Sequence, residues 1–407
     1  MSEPVHITGV GAVSAFGDSR DRFRDALLSG ATGIKPVDAF AALGCRSVLA
    51  ARVADFDAAR WIAPMKLRRM DATGPFALVA VQQAMDHAHY NVAGQGDDRA
   101  GVVFGTYSAG GHATNDYLAA LFRGGPTGAP ALMFNSTVAN AAAGLAGLEF
   151  KLRGPNATIS QKEASGLAAI AAAVDLLRAG RADAIAAGGI DAVYEIFFRT
   201  HDQFGVMNRA CESGDRTAPF SRAREGFVMG EGGFALWLER GSAWRQRGAT
   251  SYGEVLGVGA SSAAVRLNAW PDRPDPIVRT MQLALDDAGL GAADIDVVYA
   301  AANASAVVDA VEAEALADLF RPRSPVITSI KGALGECGAS GAASCVAAVL
   351  CGAVGCVPPI AGLADADPVA GPLRLARSAV PAPGPTVLVN AVASGGALYS
   401  LVLRISR

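Results

Sequence analysis

Gly154-Pro155-Asn156-Ala157-Thr158-Ile159-Ser160-Gln161-Lys162-Glu163-Ala164-Ser165-Gly166 is the stretch whose reading decides the fold. Its first half is a turn running into a β-rich segment. Its second half leads into a helix whose apolar residues Leu167, Ile170, Val174 and Leu177 share one face. A strand-to-helix elbow of this kind holds its first side chain at a helix N-terminus. Free N–H groups there favour anions and depress a thiol pKa. The position is built for a nucleophile, yet Glu163 occupies it.

Outward from the elbow, helical patterns alternate with buried-strand runs. A helix is expected around residues 76–89, a strand over 100–105, a helix over 165–178 and a strand over 182–187. The alternation restarts after Trp237-Leu238-Glu239-Arg240. Strand 254–258, helix 276–288, strand 297–301, helix 308–320 and an apolar helix near Cys345 follow, and strands 386–391 and 397–405 close the chain. The spacing predicts an α/β chain of two related halves, residues 1–250 and 251–407, with no obvious identity between them. The Pro-, Ala- and Gly-rich segment 358–385 reads as a surface loop with short elements. The opening Val5-His6-Ile7-Thr8-Gly9-Val10-Gly11 reads as a short strand and a glycine turn. It is no dinucleotide fingerprint, because Ser14 stands where the third glycine belongs.

Composition narrows the function. With 407 residues, 51% hydrophobic and only 18% charged, the chain supports a deep core and a large buried oligomer interface. A net charge of −3 without a basic run speaks against nucleic acid and anionic membrane surfaces. The apolar run 338–358 is short and glycine-rich, a buried helix rather than a membrane span. No basic segment followed by an apolar core opens the chain, and the six scattered cysteines form no CxxC pair. A cytoplasmic protein with reduced thiols is expected. Of the five histidines, none lies beyond His201, so no imidazole comes from the C-terminal half. His87-Ala88-His89 beside Asp86 offers too few ligands for a metal, and Cys211 has no elbow or base to make it a nucleophile. Neither metal nor cofactor is expected.

Several segments together resemble the β-ketoacyl synthase family of the thiolase fold over essentially the whole chain. They are Leu152-Arg153-Gly154-Pro155, Ala164-Ser165-Gly166, Pro219-Phe220-Ser221, Glu225-Gly226-Phe227-Val228-Met229-Gly230-Glu231-Gly232 and Asn390 with Gly395-Gly396. The resemblance implies a five-layered α-β-α-β-α architecture from two duplicated halves. It also implies a Cys-His-His site, in which the thiol carries the acyl chain and two histidines promote malonyl decarboxylation. Carried onto this chain, the cysteine position is Glu163. The first histidine position, anchored on Asp309 and Glu312, is Ala301. The second, in Lys331-Gly332-Ala333-Leu334-Gly335-Glu336, is Glu336, with Lys331 kept and the following loop one residue shorter than usual. Two carboxylates facing a malonyl anion repel it unless one is protonated.

Family members lacking the cysteine resemble the chain length factors of type II polyketide synthases. These pair with an active ketosynthase, which supplies Cys-His-His, and shape the tunnel that receives the growing chain. The resemblance therefore implies a heterodimer working on an acyl carrier protein with a phosphopantetheine-bound chain, in an aromatic or polyene pathway. It places Thr114, Tyr117, Leu118 and Leu121 on an interface helix beside the tunnel, Phe134 across the dimer, and Ser394, Gly395 and Gly396 in a former oxyanion loop. Two other roles stay open: a malonyl-carrier decarboxylase that primes synthesis through Glu163, and a purely stabilising partner. Glu163 also reads as a helix N-terminal carboxylate that stabilises the dipole, and Lys331–Glu336 as a buried ion pair.

Overall fold

The computed structural model describes residues 3–68 and 70–406. Its centre is an eleven-stranded mixed sheet. The strands are β1 (Val5–Val13), β2 (Ala100–Gly105), β3 (Asn156–Ile159), β4 (Ala184–Asp191), β5 (Gly232–Arg240), β6 (Gly253–Ser262), β7 (Val297–Tyr299), β8 (Val326–Thr328), β9 (Arg374–Leu375), β10 (Thr386–Val392) and β11 (Ala397–Ile405). Their spatial order is β9-β8-β7-β10-β11-β6-β1-β5-β4-β2-β3.

That order contains one topology twice. In residues 5–240 the first strand lies beside the fifth, then the fourth, second and third. Residues 253–405 repeat it with β6, β11, β10, β7 and β8, and the parallel and antiparallel pairings match strand for strand. The half-sheets meet where Val5–Ile7 pairs antiparallel with Gly253–Val255. β9 extends the second half-sheet by pairing with β8 and is one of the short elements expected in the loop segment 358–385.

The helices complete five layers. Helix α1 (Thr73–His87) covers the outer face of the first half-sheet, and α2 (Gly111–Gly124) and α3 (Ala141–Glu149) lie in the β2–β3 connection. α4 (Ser165–Arg178) and α8 (Ser340–Ala353) fill the middle. α5 (Glu195–Phe204) follows β4, and α6 (Asp275–Ala288) and α7 (Ala306–Phe320) cover the far face. Strands covered on both faces have no solvent side, which explains why β4 is buried along its whole length. That strand runs to Asp191, four residues beyond the expected end.

The expected glycine turn after Ile7 does not exist. Gly9 and Gly11 lie inside β1, where a Cβ would collide with the backbone carbonyls of Ala84 and Ala80 in α1. Gly257 and Gly259 do the same in β6, against Ala284 and Thr280 of α6. The glycines let each half draw its outer helix down onto its sheet. Gly9-Val10-Gly11-Ala12 and Gly257-Val258-Gly259-Ala260 are therefore the same device in both halves. Gly11→Ala and Gly259→Ala are each expected to destabilise the fold by about 1–3 kcal/mol, as overpacking does. Equilibrium denaturation measures this, with Gly144→Ala, a position in α3 with open space at its Cβ, shifting the midpoint less.

Candidate functional site

The elbow forms as the sequence predicts. β3 ends at Ile159, and Lys162 adopts a left-handed φ of 51°, turning the chain into a short 3-10 turn (Lys162–Ala164) ahead of α4. The Ser165 hydroxyl pins the bend, accepting from the Gln161 N–H at 2.8 Å and donating to the Lys162 carbonyl at 2.6 Å. Glu163 is thereby held inward and buried. Its Oε2 accepts the Ser394 N–H at 2.9 Å, and the Ser394 hydroxyl lies 3.0 Å and 3.1 Å from its two oxygens. The Glu163 carboxylate thus occupies the one amide of the 394–396 loop that faces the elbow. Gly395 and Gly396, both at positive φ, turn their N–H groups to the carbonyls of Ala269 and Ala393.

As Glu163 lies two residues before the start of α4, Glu336 of the other half lies in the loop ahead of α8, four residues before its start. Its Oε2 accepts Lys331 Nζ at 2.7 Å and Asn303 Nδ2 at 2.8 Å, and its Oε1 accepts the Cys337 N–H at 3.1 Å. Lys331 Nζ also donates to the Ala301 carbonyl at 2.7 Å. The Lys331–Glu336 ion pair read as one alternative in the sequence is therefore present and buried. Ala301 contributes only a methyl group and a carbonyl, and lines neither cavity described below. Asp309 and Glu312 shape its loop from beneath: Glu312 accepts the N–H groups of Ala301 and Ala302, and Asp309 those of Asn303 and Ala304.

Two cavities meet at Glu163. A solvent-open funnel enclosing about 1090 Å³ descends between Phe204, Val206 and Trp270 to Asn268, Ser394 and Glu163. Behind it, a narrower chamber reaches Glu336, Cys337 and Asp191. Tyr107, Phe197 and His201 border both, with the Tyr107 hydroxyl 3.4 Å from His201 Nε2.

Burial and then the charge of Glu336 raise the Glu163 carboxyl to about 7, against the lowering pull of its own N–H and of Ser394. Burial, and then nearby Asp191, pushes the Cys337 thiol up, so it supplies no thiolate. Burial also holds His201 below the usual imidazole range.

Sequence reasoning missed Asp191. Its carboxylate accepts Thr106 Oγ1, the N–H groups of Tyr107 and Ser108, the Ser108 hydroxyl and the Ala339 N–H, all within 3.0 Å. It joins the end of β4 to the loop after β2 and to the loop before α8, and so fixes Tyr107. An acidic residue closing the apolar run Ala184-Ile185-Ala186-Ala187-Gly188-Gly189-Ile190 was the available signal.

Thr114, Tyr117, Leu118 and Leu121 lie on α2, where a helix is expected, and line neither cavity. Thr114 Oγ1 donates to the Thr137 carbonyl at 3.0 Å, and the Tyr117 ring packs 5.7 Å from that of Phe134. Around them an apolar surface faces outward: Phe122 is 82% exposed, Leu148 78%, Leu132 74% and Phe134 56%. Among the described residues no cluster of metal ligands occurs, and no helix is long and apolar enough to cross a membrane.

Residues 2–243 match the β-ketoacyl synthase N-terminal domain, and residues 252–364 match the C-terminal domain. The chain belongs to the β-ketoacyl synthase family. It is 29% identical to a 3-oxoacyl-[acyl-carrier-protein] synthase 2 of Coxiella burnetii, over 98% of both chains. It is 30% identical to the tetracenomycin polyketide synthase ketoacyl synthase beta subunit of Streptomyces glaucescens, again over 98% of both. Among solved structures it superposes on the ishigamide ketosynthase/chain length factor with a TM-score of 0.91 at 28% identity. A β-ketoacyl synthase from Burkholderia phymatum gives a TM-score of 0.92 at 27% identity, and both alignments cover all of each chain. The fold is the thiolase-like fold of the ketosynthases.

Two outcomes test the electrostatics of the site. A carboxyl that titrates near 7 when folded and near 4.5 when unfolded keeps its proton longer in the folded chain. Its contribution to stability is then complete below pH about 4.5 and is lost as pH rises to about 7, by roughly 3 kcal/mol at most. The groups facing it are Glu336, Tyr107, His201, Lys162 and Ser394. Glu163→Gln is therefore expected to raise the melting temperature more at pH 8 than at pH 5, which thermal scans at the two values read directly. Lys331→Met leaves the Glu336 charge buried and alone and should cost about 3–5 kcal/mol, whereas Lys331→Met with Glu336→Leu recovers most of it. Denaturant titration of the single and double variants checks this.

Proposed function

We infer that this chain is a chain length factor: a non-catalytic partner that forms a heterodimer with an active ketosynthase and shapes the tunnel for a growing polyketide. One observation carries the reading. Each position where the family places its thiol or its imidazoles holds a group unable to do that work, and each is tied into the fold. A carboxylate at 163 forms no thioester and fills the amide contact at Ser394. Glu336 is neutralised by Lys331 and Asn303, and Ala301 presents no donor side chain toward an enolate. The condensing chemistry then falls to a partner with Cys-His-His, acting on an acyl carrier protein whose phosphopantetheine arm holds the chain.

The outward apolar surface of α2, Phe134 and α3 supports that partnership, because a stretch of exposed large side chains of this kind marks an interface. The likeness to the tetracenomycin beta subunit and to the ishigamide ketosynthase/chain length factor points the same way. The likeness to 3-oxoacyl synthases reports the common ancestry of both subunit types. By the resemblance, Tyr117, which packs on Phe134 beside Thr114, is the side chain we assign to length control, at the partner face rather than at either cavity of this chain. In the decarboxylase alternative Glu163 must handle a malonyl carboxylate, and neither Ala301 nor the Lys331-paired Glu336 offers an imidazole donor to the resulting enolate.

Co-expression with the ketosynthase of the same gene neighbourhood, followed by mass analysis of carrier-bound product, tests this reading. A 1:1 complex is expected, active only through the partner's cysteine, while the chain expressed alone aggregates. Tyr117→Ala removes bulk from the proposed tunnel wall and is expected to lengthen the product by about one extender unit. A soluble homodimer that condenses alone overturns the reading. Unaltered product length in variants of both Thr114 and Tyr117 leaves a stabilising role only.

A further inference from the structure

The floor of the outer funnel carries chemistry that a tunnel-shaping role does not use. The Ser394 hydroxyl lies 3.0 Å from Glu163 Oε1 on one side. On another, Lys162 Nζ lies 3.3 Å from the same hydroxyl while it also bonds Asn268 Oδ1. A hydroxyl that donates to a buried carboxylate and accepts from an ammonium has the partners an oxygen nucleophile needs, a base for its proton and a cation beside the reacting centre. The carboxylate takes its proton, and the ammonium faces the charge that develops on an attacked carbonyl. The base is itself oriented, since its Oε2 is held by the Ser394 N–H at 2.9 Å. A tie between two loops needs only that last bond. It does not require the ammonium at the hydroxyl, nor a funnel open to solvent in front of it.

We propose that Ser394, Glu163 and Lys162 form an acyl-thioester hydrolase site, which cleaves uncharged acyl chains presented on a flexible thiol arm through the funnel. Phe197, Phe204 and Trp270 give that passage apolar walls suited to such an arm, and the carboxylates of Glu163, Glu336 and Asp191 at its end disfavour an anionic acyl group. In the first step Ser394 Oγ bonds the thioester carbonyl carbon, and its proton passes to Glu163. The C–S bond then breaks, and the leaving sulfur takes that proton and departs as a thiol. Water next attacks the serine ester and gives a proton to Glu163. The ester C–O bond breaks, Ser394 recovers the proton, and a carboxylic acid leaves. A carboxyl that titrates near neutral suits this exchange. The activity removes stalled chains rather than building them: it would give hydrolytic chemistry to a subunit that is non-catalytic in condensation, and it does not depend on the partner-subunit reading.

The test uses the co-purified complex with the partner's nucleophilic cysteine replaced by alanine, so that condensation is silent. Hexanoyl-N-acetylcysteamine is the probe, and thiol release is followed. Release above the buffer rate is expected, falling roughly a hundredfold in both Ser394→Ala and Glu163→Gln, and a fluorophosphonate should leave its adduct on Ser394. Release equal to buffer, or release unaffected by both substitutions, overturns the proposal. Where a variant does not co-purify, the adduct on the unmodified chain decides, and its absence is the overturning result. If no complex forms at all, the partner reading fails, and the same labelling on the chain alone still decides the hydrolase.

Discussion

Everything at the site depends on how closely α4 and α8 approach each other between the two half-sheets. At Gly166 a Cβ would stand 3.1 Å from that of Ala342, and at Gly341 2.9 Å from that of Leu167. Gly189 of β4 leaves similarly little room, with Ala339 Cα 2.7 Å away from where its Cβ would lie. The Gly166 N–H donates to the Gly338 carbonyl at 2.7 Å, binding the start of one helix to the approach to the other. Small residues in the middle layer therefore bring two helix N-termini, one from each half, to a single place. Whatever stands ahead of those helices faces its counterpart across a narrow chamber.

That convergence explains the electrostatic character of the chamber. Two helix starts favour anions, and both positions carry glutamate. The two carboxylates meet different fates because their neighbours differ. Glu336 has Lys331 five residues earlier and the Asn303 amide opposite, so its charge is matched. Glu163 has only amides and a hydroxyl in direct contact, and its proton is correspondingly retained to higher pH.

Much of this was legible in the sequence. The helix over residues 165–178 and the strand over 100–105 follow from periodicity, and the substitution at 163 is visible once the elbow is recognised. What escaped has a common physical origin. The glycines of β1 resemble a turn because a close approach between a strand and a distant helix leaves no local signature. The repeat of that glycine pair in β6 is a four-residue identity, too short to stand out against the divergence of the halves. Asp191, Tyr107 and His201 come together only through tertiary contact, and Asn303 gains its role from a side chain 33 positions away.

The mirrored placement of Glu163 and Glu336 bears on how such a chain evolves. A thiol restored at position 163 would face a buried carboxylate in place of an imidazolium, and the thiolate form would be disfavoured there. Its amide partner at Ser394 would be freed, but no proton acceptor would stand at Ala301. A condensing site in this chain would thus require changes at several positions in both halves. The two sides of the chamber come from different halves of the repeat, so a change on one side alone leaves the other facing it unaltered.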